Sequence, residues 1–448
     1  GHAAHPASQG WRGADVGAFE MTARPRAYLD VAEAAADPRV KAVLRSSVPP
    51  VVVFPSSHAV AMSVIRALQD ERIPVLAVDF KPEAAGLYSR FVTPLLLPGL
   101  YRDQEAFETQ MLELGAMFHE RPVLFLVDDE DLFLSLKHQD RWEKVYRLPL
   151  SPWSVVQGIV DKGMMYRRLQ EIGWKGCPVT WFPETMADLD RFKSEFVFPC
   201  IVKPTFSTAF RLRFGVKAKK FDSYEPLRAF AADVFAAGIP FVVQEFIPGG
   251  EDLLVTYAAY SNDAGEVIAS STGRKLHQFP PDFGTCRLSE SIDDPALERI
   301  GREFLSLLRY RGISLTEFKR TPDGSFKLIE LNPRPGDWPE RLAQVCGANL
   351  VLVAYRETLG ERVAPHTIHK FGRKWANLPE DFYYCVRGYR LLGWPEAHRG
   401  LFGWLADIRG LASDAFFDWR DPVPAWVRFK GMCRDFARRE RGLARDVR

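Results

Sequence analysis

The feature that most restricts the fold is a strand–helix–strand pattern in the first part of the chain. Residues 51–54 form an apolar run, residues 74–78 form another, and an amphipathic helical pattern lies between them. Two buried strands joined by a helix are typical of a parallel sheet, because the helix carries the chain back to the starting edge. Similar short apolar runs follow at 92–97 and 122–127. Residues 47–150 are therefore predicted to form a doubly wound α/β domain.

The whole chain is too long for a single hydrophobic core. It has 448 residues, of which 47% are apolar and 26% charged, as expected for a globular protein of two or three units. We predict mixed α/β and α+β architecture in four parts: an N-terminal extension 1–46, the α/β domain 47–150, a two-lobed domain 151–360 with a lid lobe at about 178–245, and a helical C-terminal extension 361–448.

Charge and cysteine content exclude several classes of protein. The net charge is +2, so no global electrostatic field indicates a nucleic-acid partner. The six cysteines are scattered, and no pair has the close spacing of a zinc site or a redox dithiol. They are typical of a reducing compartment, so we expect a cytoplasmic protein. No apolar run approaches the length of a membrane-spanning helix.

A predicted β-hairpin at residues 315–331 brings acidic side chains together. It has a Pro-Asp-Gly turn, which folds Glu317 back beside Glu330. Strand residues alternate between faces, so Glu330 and Asn332 point the same way. Two carboxylates this close repel each other unless a cation lies between them, and oxygen-only ligands suit Mg²⁺. The alternative is a solvated surface hairpin, but the Pro-bracketed turn that follows presents Arg334 next to the acids, where an anion would need it.

Two lysines and a glycine turn precede this hairpin. Lys162 lies at the start of a predicted helix, where free N–H groups and a positive charge together attract anions. Lys203 ends a short predicted strand, and residues 244–252 form another strand that leads into a Gly-Gly turn flanked by acids. Each lysine alone is typical of a protein surface, whereas the set indicates a nucleotide site.

Taken in order, these motifs resemble those of the ATP-grasp superfamily of ligases. The resemblance covers roughly residues 150–355 and, more loosely, the preceding domain, which would be a pre-ATP-grasp domain. It implies ATP and one or two Mg²⁺ ions as cofactors. It implies that Lys162 and Lys203 bind the α- and β-phosphates. The other ligands that it implies are Gln244, Glu245, Phe246 and Ile247 around the adenine, Asp252 at the ribose, and Glu317, Glu330 and Asn332 at the metal.

Residues 273–286 narrow the resemblance to bacterial carboxylate–amine ligases similar to D-aspartate ligase. That group implies amide-bond formation through an acyl phosphate, with a small-molecule carboxylate and amine, such as an amino acid or peptide, as partners. Arg274 and Lys275 are suited to grip the γ-phosphate and the acyl phosphate, and Arg334 to stabilise the oxyanion. His277, and His58 at the carboxyl end of the first strand, are candidates for substrate contact.

Three questions stay open at the level of sequence. Residues 205–215 replace the Gly-rich phosphate loop of many relatives, and Arg211 and Arg213 are either substitutes for it or exposed charges of the lid. A kinase- or carboxylase-type enzyme, or a non-catalytic nucleotide-binding scaffold, would share much of the pattern. The basic, aromatic C-terminal extension is more typical of packing, but it is compatible with weak peripheral membrane contact, and a homodimer is compatible with the sequence.

Overall fold

The computed structural model describes residues 24–101, 103–281 and 284–446. The predicted N-terminal extension before residue 24, and residues 282–283 of the segment 273–286, lie outside the described part. The helices are α1 Val31–Ala36, α2 Pro38–Leu44, α3 Ala59–Leu68, α4 Gln104–Ala116, α5 Asp129–Lys137, α6 Gln139–Trp142, α7 Trp153–Val160, α8 Lys162–Glu171, α9 Met186–Arg191, α10 Ser207–Phe214, α11 Tyr224–Ala236, α12 Pro295–Leu308, α13 Trp338–Cys346, α14 Leu350–Thr358, α15 Leu378–Tyr383, α16 Tyr389–Leu391, α17 Gly400–Asp407 and α18 Val423–Asp446.

The strands form three sheets. They are β1 Val51–Phe54, β2 Val75–Asp79, β3 Thr93–Leu96, β4 Val123–Leu126, β5 Thr180–Trp181, β6 Cys200–Pro204, β7 Lys219–Phe221, β8 Phe241–Glu245, β9 Leu254–Ser261, β10 Val267–Phe279, β11 Thr285–Ser291, β12 Gly312–Arg320, β13 Phe326–Asn332, β14 His366–Thr367, β15 Lys374–Ala376 and β16 Leu411–Asp414. None of the helices in the described part is long and apolar enough to cross a membrane.

The first sheet is parallel and has the order β3-β2-β1-β4. Its strands are apolar on both faces because both faces are covered. Val52 and Phe54 pack into a core with Phe107 of α4, whereas Val51 and Val53 pack against α3 on the other side. This architecture confirms the α/β fold predicted for the first domain.

The second sheet is antiparallel and has the order β5-β8-β6-β7. Alternate residues of β6, Cys200 and Val202, pack against a helical layer that includes Leu227 of α11. The intervening residues, Ile201 and Lys203, therefore face the opposite way, towards a cleft. This alternation explains why a lysine at the end of an otherwise apolar strand reaches a candidate site.

The third sheet has the order β13-β12-β9-β10-β11-β15-β16, with β14 beside β10. The C-terminal extension is helical, as predicted. It also supplies the last two strands of that order, β15 and β16, of which β16 forms the edge of the sheet. A second difference concerns residues 205–215, which were predicted to be a loop. Most of them form α10, and Gly215 ends that helix in the left-handed conformation with φ 73°.

A buried ion pair fastens the C-terminal extension to the first domain. Arg66 of α3 donates from Nη1 to Asp421 Oδ2 at 2.7 Å, and the two side chains are only 3% and 2% exposed. Ser89 Oγ donates to the same carboxylate at 2.6 Å. Removing one partner of such a pair leaves an uncompensated buried charge.

We therefore expect Asp421→Ala to lower the free energy of unfolding by about 3 kcal/mol. The matched control is Asp70→Ala, because Asp70 forms an ion pair with Arg420 in which both side chains are at least half exposed. An exposed pair contributes less than about 1 kcal/mol. Thermal melts of the two variants and the wild type measure the difference, and equal melting temperatures for the two variants would contradict it.

Candidate active site

The predicted hairpin forms, and it collects the predicted metal ligands on one face. In β12 and β13, Glu317 lies directly opposite Glu330, and Asn332 lies two residues further along the same strand. Residues that pair across strands share a face, as do residues two apart along one strand. Lys275 of β10 completes the group, because its Nζ lies 2.8 and 2.9 Å from the two carboxylate oxygens of Glu317.

Lys203 approaches the cleft from the smaller antiparallel sheet. Its Nζ donates to Gln244 Oε1 at 2.8 Å, and Gln244 donates from Nε2 to Thr180 Oγ1 at 2.9 Å. Burial, followed by the charge of Lys162, lowers the pKa of Lys203 to about 8. Two lysines that repel each other in this way form a ready site for an anion.

The pKa of the Glu330 carboxyl shows how cations surround the acids. Burial acts to raise this pKa, but it is nevertheless lowered by the charges of Lys162, Lys217, Lys275 and Lys203. Lys217 was missed in the sequence, where its signal is only the basic run at 217–220. Carboxylates and ammonium groups from separate segments thus balance each other's charge around one point.

A cleft opens between the antiparallel sheet and the hairpin strands. Its lining combines apolar and charged side chains with glycine backbone: Ile201, Lys203, Gln244, Glu245, Phe246, Ile247, Gly249, Gly250, Leu254, Lys319 and Ile329. Lys319 was also missed, although strand alternation places it on the face of Glu317. Asp252 follows the glycines in a short helical turn, Glu251–Leu253, and is exposed.

The Glu245 side chain is engaged within the protein. Its Oε1 accepts a hydrogen bond from the Val179 N–H at 2.9 Å and lies 3.7 Å from Lys327 Nζ. These contacts connect the antiparallel sheet to the hairpin at one end of the cleft. The backbone of Phe246 and Ile247, which follows Glu245, lines the cleft.

Comparison with known proteins identifies the fold. No protein-family model and no curated protein matches the sequence. Among solved structures, a biotin carboxylase–β,γ-ATP complex from Campylobacter jejuni is 13% identical, with TM-score 0.55 over 71% of this chain and 72% of that one. An L-amino acid ligase from Bacillus licheniformis is 16% identical, with TM-score 0.53 over 71% and 76%. An ADP complex of PurK, N5-carboxyaminoimidazole ribonucleotide synthetase, is 14% identical, with TM-score 0.56 over 72% and 81%. The fold is that of the ATP-grasp enzymes.

Within this ATP-grasp fold, Arg274 does not join the acids, contrary to the prediction. On β9, Val255 pairs with Arg274 and the next residue, Thr256, pairs with Glu317. Neighbouring strand residues point to opposite faces, so Arg274 lies on the opposite face from Glu317. There its guanidinium binds Glu290 through Nε at 3.0 Å and Nη2 at 2.7 Å. Lys275 is the member of the pair that faces the cleft.

Arg334 lies where the hairpin meets the parallel sheet of the ATP-grasp fold. Its guanidinium forms an ion pair with Asp129 at the start of α5, and Glu330 is close enough to contribute to the raised pKa of Arg334, although burial opposes that rise. His58 is close by: burial lowers its pKa, and the charge of Arg334 adds to this effect. The structure thus brings both residues to one sheet edge, as expected for His58.

Asp131 is a further group at this edge that the sequence did not reveal. Burial, and then the charges of Asp128 and Glu130, raise its pKa to about 7. Its signal in the sequence is only a run of acids, which is equally typical of a helix start. A carboxyl group with such a pKa can hold or release a proton near neutral pH.

His277 is not in the cleft, contrary to the prediction that it contacts substrate. A β-bulge separates it from Lys275, and its side chain is 6% exposed. Its ring contacts Asp381 and Asp407 of the C-terminal extension. These partners lie 104 and 130 positions away, so no local pattern could have revealed them.

The Lys275–Glu317 pair gives a test of the charge balance. We expect Lys275→Met to lower the melting temperature by several degrees, because Glu317 and Glu330 then repel each other, and we expect Mg²⁺ to restore more stability in this variant than in the wild type. Arg274→Met is the control, since it removes a cation from the other face. Thermal melts with and without Mg²⁺ measure both effects, and equal responses of the two variants would contradict the assignment of faces.

Proposed function

We propose that this chain is an ATP-dependent ligase that activates a carboxylate as an acyl phosphate and joins it to an amine. The observation that carries the proposal is the clustering of Glu317, Glu330 and Asn332 on one face, with lysines around them, beside a cleft that is apolar at one part and lysine-rich at another. The ATP-grasp fold supports it. The likeness to a solved L-amino acid ligase supports the amine acceptor, and the resemblance of residues 273–286 supports a group similar to D-aspartate ligase.

The cleft has an apolar part and a lysine-rich part, and each matches one part of ATP. The apolar part, with Ile201, Leu254 and Ile329, would hold the adenine, and the backbone of Phe246 and Ile247 would read its edge. The lysine-rich part would hold the phosphates, with Lys162 and Lys203 at the α- and β-phosphates and Asp252 at the ribose. Binding of an anion there would relieve the repulsion that lowers the pKa of Lys203.

The donor set suits Mg²⁺. Glu317 and Glu330 offer carboxylate oxygens, and Asn332 offers its amide oxygen if that oxygen faces the ion. Lys275 already places a cationic group against both carboxylate oxygens of Glu317. Glu317, Glu330 and Asn332 would hold one or two Mg²⁺ ions, which supply charge neutralisation at the β- and γ-phosphates. Lys275, which now contacts the Glu317 carboxylate, would bind the γ-phosphate.

The carboxylate and the amine would bind at the sheet edge beyond the metal ligands. The charge of Arg334 acts on His58, and Glu330 acts on Arg334, so we expect Arg334 to orient a carboxylate and stabilise the oxyanion as the amine attacks. The Asp131 carboxyl, with its pKa of about 7, could accept the proton that the amine loses. An amino acid or peptide fits this mixture of charges. The cytoplasmic location, the homodimer and the domain boundaries stay predictions.

A screen of amino acids, supplied in pairs with Mg²⁺ and ATP, tests the reaction. Phosphate release that requires both an amine and a carboxylate is expected. Release of ADP that needs no amine would instead indicate a kinase- or carboxylase-type reaction. Binding of Mg²⁺-ATP by calorimetry without any phosphate release would indicate a non-catalytic nucleotide-binding scaffold, and no binding at all would contradict the nucleotide site.

Glu330→Gln tests the metal assignment. We expect kcat/KM for the active pair to fall by roughly 100-fold or more, because one carboxylate ligand of the cation is lost. Glu290→Gln is the control, since Glu290 is an acid of the same sheet that binds Arg274 on the other face. Steady-state phosphate release measures both variants. A near wild-type rate for Glu330→Gln would remove the assignment.

The pKa of Lys203 predicts how ATP binding depends on pH. Since this pKa is lowered to about 8, the side chain loses its charge as the pH rises through that value, and the affinity for ATP should fall by up to roughly tenfold per pH unit above it. Lys203→Arg keeps its charge because a guanidinium has a pKa above about 12. Calorimetric titrations between about pH 7.5 and pH 9.5 should give a steep profile for the wild type and a flat one for the variant. Parallel profiles would contradict the role of Lys203.

A further inference from the structure

A second cluster of reactive side chains lies outside the cleft, where the C-terminal extension meets strand β10. It consists of His277 from β10, Asp381 from α15 and Cys385 from the π-helical turn Tyr384–Gly388 that continues α15. All three residues are buried. Asp381 and Cys385 are four positions apart, so they lie on one face of the helix, and His277 approaches from the strand.

The three candidate donor atoms lie at the corners of a small triangle. His277 Nδ1 is 2.9 Å from Asp381 Oδ1 and 3.5 Å from Cys385 Sγ, and the oxygen and sulfur are 3.7 Å apart. Around a tetrahedral zinc ion the corresponding donor–donor distances are roughly 3.3–3.6 Å. The two sulfur edges already match, and the nitrogen–oxygen edge needs to widen by only about 0.4 Å from its hydrogen-bond length.

The surroundings are those of a metal-bound histidine. His277 Nε2, the nitrogen that points away from the triangle, lies 3.2 Å from Asp407 Oδ2. A histidine that binds a metal usually donates its other N–H to a carboxylate, which fixes the tautomer. Asp381 is supported in the same way, because its second oxygen accepts a hydrogen bond from Trp404 Nε1 at 2.9 Å.

Charge and backbone geometry agree with this interpretation. One carboxylate and one thiolate would neutralise a divalent ion, which is what a buried site requires. The β-bulge between Lys275 and His277 changes the direction in which the side chains of β10 point. Both β-bulges and π-helical turns, such as the turn that contains Cys385, are frequent at functional sites. A metal-free imidazole that contacts both Asp381 and Asp407 is the competing state.

We propose that His277, Asp381 and Cys385 bind one Zn²⁺ ion, with water in the fourth position. Nitrogen and sulfur donors favour zinc over magnesium or calcium. Such an ion would clamp the C-terminal extension to β10 only two residues beyond Lys275. The spacing of cysteines in the sequence could not reveal it, because the site takes a single cysteine and draws its histidine from 108 positions away.

Metal binding by the full-length chain, without a polyhistidine tag, tests the proposal. Exposed Cys433 is replaced by Ser in every protein to remove adventitious binding. After incubation with Zn²⁺ and gel filtration, about one zinc per chain is expected by mass spectrometry of the metal. Substitution with Co²⁺ should give a thiolate charge-transfer band in the near ultraviolet. Zinc far below one per chain, or no such band, would overturn the proposal and indicate the metal-free cluster.

Variants separate this site from a general loss of structure. Cys385→Ser should lose the charge-transfer band and most of the zinc, whereas Cys346→Ser, at another buried cysteine, should keep both. Asp407→Asn should keep the band but bind zinc roughly 10- to 100-fold more weakly, because it acts through His277. An unchanged band in Cys385→Ser would overturn the proposal. All of these experiments measure metal binding, so their outcome does not depend on the proposed ligase activity.

Discussion

The repulsion between two facing carboxylates governs the arrangement of the candidate active site. Glu317 and Glu330 are paired across a hairpin, so the backbone leaves them no freedom to separate. Ammonium groups from other segments surround them, and the charges of these groups lower the pKa of Glu330 although burial acts to raise it. The same positive charges are what a triphosphate requires. The hairpin acids and the lysines proposed to bind phosphate are therefore one electrostatic unit. The carboxylates stabilise the nearby ammonium groups, and the ammonium groups stabilise the carboxylates.

The parts of this unit that depend on short-range geometry could be predicted from the sequence. The turn composition and strand alternation were enough to predict that Glu317, Glu330 and Asn332 share a face. The same alternation should have excluded Arg274 once Lys275 was placed in the site, because adjacent strand residues cannot face the same cleft. Similarly, Gly215 at the end of a glycine-free segment was a helix-stop signal, so the helix at 207–214 was within reach of sequence reasoning.

Other features depend on contacts between distant segments and carry no local pattern. Nothing near His277 indicates that its partners are in the C-terminal extension, and nothing near Lys217 indicates that it faces Glu330. Strands β15 and β16 of the extension are only three and four residues long, so their pairing is set by the sheet that they join. Such short strands form because of their tertiary contacts, and these contacts cannot be deduced from one sequence.

The ion pair between Arg66 and Asp421 has a consequence for the order of events during synthesis. The two residues are 355 positions apart, and the arginine is synthesised before the aspartate. Until most of the chain has been translated, this guanidinium has no carboxylate to meet and must remain hydrated. The α/β domain therefore cannot close its α3 face on its own, and a segment synthesised hundreds of residues later completes it.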